Sequence, residues 1–174
     1  MTVRAVFDCM VFLQGAARPD GPAAACLRLV ETGFVQLCFS GEAMAEVRDV
    51  LSRPRIRRKF PVLTPETVER FLARVARRAL MFQPVPAAFT LRRDPKDEKY
   101  LNLAAACGAG YLVTRDNDLL DLMDPRRPEH QSFQVQFPEL TILDPVAFLQ
   151  LPQLQPGTTP DGGPPASEEA NPGP

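Results

Sequence analysis

The chain has 174 residues, 45% of them hydrophobic, which is enough for one α/β domain with its own core and argues against two. Twenty Lys and Arg against 21 Asp and Glu leave a net charge of −1, so nucleic acid cannot be recruited by a global positive field and only local patches remain. No stretch approaches the roughly 18 apolar residues of a membrane span, and the N-terminus lacks the basic, apolar and small-residue succession of a secretion signal, so no membrane association and a cytoplasmic location are expected.

Val3 to Phe7 reads as a buried first strand with Asp8 at its carboxyl end. A turn-rich stretch from Gln14 to Pro22 leads into a helix over Ala23 to Glu31, closed by Gly33. Val35 to Phe39 reads as a second strand. Ser40 caps a helix from about Glu42 to Arg53, which Pro54 stops, and the basic run from Arg53 to Lys59 follows. Thr64-Pro65-Glu66 starts a helix sustained by Val68, Phe71, Leu72, Val75 and Leu80, and Met81 to Val85 is a short strand. Asp94-Pro95 opens a helix ending at Gly108, and Tyr111 to Thr114 is a strand followed by Asp116 and Asp118. A short helix near Leu119 to Met123, a loop from Pro125 to His130, a strand at Leu140 to Leu143 and a helix begun by Asp144-Pro145 complete a domain over residues 1–150. The remainder, 151–174, is a Pro/Gly-rich tail expected to be disordered.

Alternating strands and helices predict an α/β fold with a central, mainly parallel sheet covered on both faces, a three-layer α/β/α arrangement. Ligands in such sheets bind outside the carboxyl ends of the strands, which puts Asp8 and Asp116 on one edge. Glu46 borders the inward stripe of Ala43, Val47 and Val50, and Asp97 lies in the first turn of its helix, where an anion is favoured. Two carboxylates about 4 Å apart repel by roughly 4 kcal/mol at an effective dielectric near 20, so a cluster of these acids calls for protons or a hard divalent cation, Mg²⁺ or Mn²⁺. Cys9, Cys26, Cys38 and Cys107 form no C-x-x-C pair, and three lie in apolar runs, which suits buried free thiols and disfavours structural zinc. No serine, cysteine and histidine set supports triad chemistry, and His130, the one histidine, is expected in a loop.

Four segments, Val6-Phe7-Asp8, Glu46-Val47, Asp94-Pro95-Lys96-Asp97 and Leu112 through Leu120, give the chain a resemblance to the PIN-domain family over about residues 3–150. More narrowly it is similar to the PIN proteins that act as toxins of type II toxin–antitoxin systems. The resemblance implies a PIN-like three-layer fold, metal-dependent endoribonuclease activity on RNA, and catalytic and metal-binding roles for Asp8, Glu46, Asp97 and Asp116. Asp118 joins the metal set, Thr114 supports the active site, and Thr114 and Arg115 are the expected substrate-binding residues. The Arg53 to Lys59 run is either a solvated boundary between helices or a phosphate-tracking patch; Arg92, Arg93 and Arg115 stand nearer the acids in sequence, and Arg115 is the first choice for a phosphate contact, ahead of any residue of that run. The same resemblance implies a small antitoxin covering the acidic pocket and possible homodimers. One departure stands out: Cys9 and Met10 replace the small hydroxyl residue and polar amide that often follow the family's first aspartate.

Each acid also has an ordinary reading: Asp94 capping a helix with Asp97 at the capping-box position, Asn117 or Asp118 capping the next, Glu46 on a solvated face, Asp8 in a strand-end turn. Those readings do not explain why the acids follow two strands and border two intervening helices in this order. Of the competing functions, a phosphotransfer domain would need a second aspartate where Cys9 and Met10 stand. A catalytically degenerate PIN fold that binds RNA or protein without cutting is the remaining alternative.

Overall fold

The computed structural model describes residues 2–83, 85–87 and 95–155. Five parallel strands, β1 (Val3–Phe7), β2 (Val35–Ser40), β3 (Leu80–Phe82), β4 (Tyr111–Val113) and β5 (Thr141–Leu143), form one sheet in the order β3-β2-β1-β4-β5. Buried runs such as Ala5-Val6-Phe7 suit a sheet covered on both faces. Register places Val6 beside Cys38 on one side and Leu112 on the other, with Phe7 opposite Val113. Strand order reverses between β1 and β4, so the carboxyl ends of these two neighbours flank the crevice where α/β sheets bind ligands.

Among the described residues the helices are α1 (Cys9–Ala17), α2 (Pro22–Glu31), α3 (Gly41–Ser52), α4 (Pro54–Lys59), α5 (Pro65–Arg78), α6 (Glu98–Cys107), α7 (Asn117–Leu120), α8 (Pro128–Gln136) and α9 (Pro145–Leu149). Helix α2 packs on α1, α5 and α9, while α6 lies across β1, β2, β3 and β4, giving the expected α/β/α layers. Phe12 stacks on Phe39 with centroids 4.9 Å apart, and Phe7 meets Phe148 edge to face, tying α1 and α9 to the sheet. Ser40 and Thr64 cap α3 and α5 through their side chains as expected. Gly108, at φ 62°, ends α6 in the left-handed conformation that lets the chain turn into β4.

Three helices were not anticipated. The segment after Asp8 is α1 rather than an open stretch running into a turn, and it is apolar on nearly every side, so no amphipathic period announces it. Gly15 sits inside α1 because a Cβ there would run into Leu27 of α2. Pro54 ends α3 and also begins α4, so the basic run is helical. Residues Pro128–Gln136 form α8, burying Phe133 alone under an otherwise polar sequence, and His130 lies in this helix, with its Nδ1 2.8 Å from the Leu122 carbonyl oxygen. The described chain continues past residue 150 into a 3₁₀ turn, Pro152–Leu154, whose Leu154 is buried. Residues 156–174, like Asp94, Arg92 and Arg93, lie outside the described residues.

Candidate active site

Two strand ends build the first half of the site. Asp8 leaves β1 and caps α1, with Oδ1 accepting from the Val11 amide at 3.0 Å. Its Oδ2 accepts from the Thr114 hydroxyl at the end of β4. The same hydroxyl oxygen accepts from the Asp116 amide at 2.9 Å, and Asp116 then caps α7 by accepting from the Asp118 amide at 2.8 Å. Asp8 and Thr114 are buried, at 3% and 0% exposure, while Asp116 and Asp118 are half-buried. Burial pushes the Asp8 carboxyl up from 3.8 to about 6, with the Asp116 charge adding to the rise; hydrogen bonds from Thr114 and Val11 hold it back.

Helices build the second half. Glu46, in the middle of α3, accepts a hydrogen bond on Oε2 from the Tyr100 hydroxyl, and the same oxygen lies 3.3 Å from Lys99 Nζ. Burial holds Tyr100 far above its ordinary pKa, so it stays a donor. Asp97 ends a 3₁₀ turn, Pro95–Asp97, at the cap position of α6, and its carboxylate does not itself cap that helix; the capping-box reading with Asp94 lies outside the described residues. Cys9 lies between the halves: burial first, then the charges of Glu46, Asp8 and Asp97, push its thiol up to about 12. Three of the acids, Asp8, Glu46 and Asp97, thus act on Cys9, while Asp116 is tied to Asp8 through Thr114. Among the described residues, no group of three or more His, Cys, Asp or Glu side chains is arranged to hold a metal ion as it stands.

Donor chemistry nonetheless suits a hard divalent cation. Asp8, Glu46, Asp97 and Asp116 offer only oxygens, and buried Asp8 carries a cost that a nearby cation offsets. A family model described as the PIN domain matches residues 4–118. The chain belongs to the PIN-domain family. Neither the curated proteins nor the solved structures give a match. PIN domains are generally nucleases and typically bind divalent metals, and the matched span of this PIN domain runs from β1 through Asp118, enclosing all five acids.

Sequence reasoning missed Lys99 and Tyr100, which engage one of the acids directly. The signal was present: they stand two and three residues after Asp97, in the first turn of α6, within reach of whatever Asp97 faces. It also missed that Asp116, rather than Asn117 or Asp118, caps α7. Arg115 is exposed and donates from Nη1 to Gln14 Oε1 at 2.8 Å, which fixes the β4–α7 turn against α1.

Proposed function

We propose that this PIN domain is a metal-dependent endoribonuclease that hydrolyses RNA phosphodiester bonds, with Asp8, Glu46, Asp97 and Asp116 as its catalytic, metal-binding acids and Asp118 beside them. The observation that carries the reading is Asp8: a carboxylate almost wholly buried at the sheet's switch point, hydrogen-bonded to Thr114 just past β4, whose hydroxyl also accepts from the Asp116 amide. A bound Mg²⁺ or Mn²⁺ would supply a more acidic water and neutralise charge on the phosphate under attack. The chain's own part is placement. Thr114 holds both Asp8 and the Asp116 backbone, so the two acids cannot move independently. Lys99 and Tyr100 engage Glu46, and the Lys99 ammonium balances its charge. Arg115, exposed beside Asp116, is the phosphate contact.

The finer reading is that of the toxin in a cytoplasmic toxin–antitoxin pair, restrained by a small antitoxin over the acidic pocket and able to form homodimers; its support is the likeness of residues 3–150 to such PIN proteins. A second reading, a catalytically degenerate PIN fold that binds RNA or protein, draws on Cys9 and Met10 behind Asp8 and on the engagement of Glu46 by Lys99. Cleavage of single-stranded RNA by the purified chain with Mn²⁺, Mg²⁺ or EDTA, alongside Asp8→Asn and Asp116→Asn, separates them. Metal-dependent cutting that both substitutions abolish is expected. Cutting that persists in both variants would remove these acids from the mechanism, and metal binding without cutting across a varied RNA panel would select the degenerate module.

A further inference from the structure

Beside Asp116 the surface opens into a cavity of about 700 Å³ between α1, the start of α2, α4 and the β4–α7 turn, within the ~300–1,000 Å³ span of sites that take small ligands. Its walls combine two chemistries. Met10, Ile56 and Phe60 are apolar, and Arg18, Lys59 and Arg115 are cationic. The two cations nearest the aromatic ring lie over it, Lys59 Nζ at 5.5 Å and Arg18 Cζ at 5.8 Å from the Phe60 centroid, near the outer limit of a cation–π contact. Among the described residues, none of the three pairs with a carboxylate. Other surface arginines do: Arg48 with Glu69, Arg53 with Asp49, Arg74 with Glu31 and Arg127 with Asp121.

We propose that this cavity is a nucleotide subsite, taking one base of a single-stranded RNA against Phe60 and Met10 and its flanking phosphates on Lys59, Arg18 and Arg115; the assignment rests on the ribonuclease reading above. Three observations converge. Unpaired cations over an aromatic ring are what a stacked base with a phosphate on either side requires, because stacking is tolerant of base identity and the phosphates carry the charge. Asp116 forms part of the wall, so a strand seated here leads directly to the acids. Met10, 39% exposed despite its apolar side chain, faces this space, and its flexible thioether can settle against a base. Lys59 of the basic run and Met10, a departure from the family pattern, thus acquire one role. Arg18 and Lys59 give up a weak ring contact for a phosphate, and the ring they uncover becomes the stacking face.

Equilibrium binding of a short fluorescein-labelled single-stranded RNA, in EDTA so that nothing is cut, tests the subsite apart from the chemistry. Phe60→Leu, which keeps apolar packing and removes the ring, should weaken binding about tenfold, within the range stacking contributes, while Phe60→Tyr should bind like wild type. Arg18→Gln with Lys59→Gln should weaken binding at low salt and lower the salt slope by about 0.7 for each cation removed. Arg74→Gln, outside the cavity, should change neither. Binding by Phe60→Leu equal to wild type overturns the proposal, as does indifference to all of these substitutions, which would leave the cavity to an acidic peptide. If RNA binds through Phe60 yet no metal promotes cleavage, the subsite stands and the nuclease reading falls. If RNA is cut with Asp8 and Asp116 required but the KM of Phe60→Leu is unchanged, the reverse holds.

Discussion

The two halves of the acidic edge are held by different means. At the strand ends, Asp8 and Asp116 are fixed by backbone amides and one buried hydroxyl, groups that cannot swing away without undoing α1, β4 or α7. On the helical side, Glu46 is held by a lysine and a phenol, and its side chain keeps 24% exposure. One half is therefore preorganised and the other exchangeable: on the metal-dependent reading proposed above, a cation would meet Asp8 already in place, whereas Glu46 would turn to it only by sharing or releasing Lys99 and Tyr100. Preorganised groups contribute most to a reaction because nothing reorganises at the moment of reaction.

The largest effect should come from the fixed half. Asp8→Asn should lower RNA cleavage by on the order of 10³-fold or more, and should stabilise the metal-free protein. The folded-state carboxyl is raised from 3.8 to about 6, so the folded chain binds a proton more readily than the unfolded one. Asp8's contribution is then fully present below about pH 4 and lost as pH rises through about 6. At neutral pH and above, Asp8→Asn should gain on the order of 1–3 kcal/mol, read as a higher Tm in EDTA that depends less on pH between 4 and 6. A lower Tm for the variant under those conditions would mean that the Thr114 and Val11 hydrogen bonds outweigh burial.

Thr114→Val comes next. It removes the donor that holds Asp8 down and the acceptor that holds the Asp116 amide, so it should cost about 1–3 kcal/mol and reduce cleavage by roughly tenfold. The acid limb of the pH–rate profile should move upward, because the lost hydrogen bond lowered the Asp8 pKa. A profile that stays in place would make Thr114 a packing residue only.

In the exchangeable half, Lys99→Met should leave stability within about 1 kcal/mol and tighten Mn²⁺ binding a few-fold, because one competitor for Glu46 is gone; isothermal titration reads both affinity and stoichiometry. Weaker metal binding would show that Lys99 orients Glu46 rather than competing for it. Cys9→Ser should have the smallest effect, within about twofold on cleavage, since a thiol raised to about 12 is already neutral at working pH. A large gain of activity in that variant would instead place the hydroxyl in the reaction.

Much of this could be read before any coordinates. Short apolar runs ending in acids gave β1 and β4, the Ser40 and Thr64 caps gave α3 and α5, and the rule for parallel sheets put Asp8 and Asp116 on one edge. These signals are local: a cap, a period or a strand end depends on neighbours within a turn or two of chain. Helices α1 and α8 were hidden because one is apolar almost all round and the other nearly polar all round, and neither pattern has a period to detect. The Gly15 that suggested a turn is instead the close approach of α1 to Leu27, a fact of packing between segments.

The sequence by itself determined the strands that alternate with helices, the layering, and the placing of Asp8 and Asp116 behind neighbouring strands, because hydrophobic period and capping chemistry are written along the chain. Tertiary structure alone decided how those acids are held: that Thr114 bonds Asp8 from another strand, that Lys99 and Tyr100 engage Glu46 from another helix, and that Arg18, Lys59 and Arg115 meet at one cavity. Partners separated by 54 residues in one case and 106 in another become neighbours only when the sheet and helices close around a common core, and no local rule specifies which side chain will then face which.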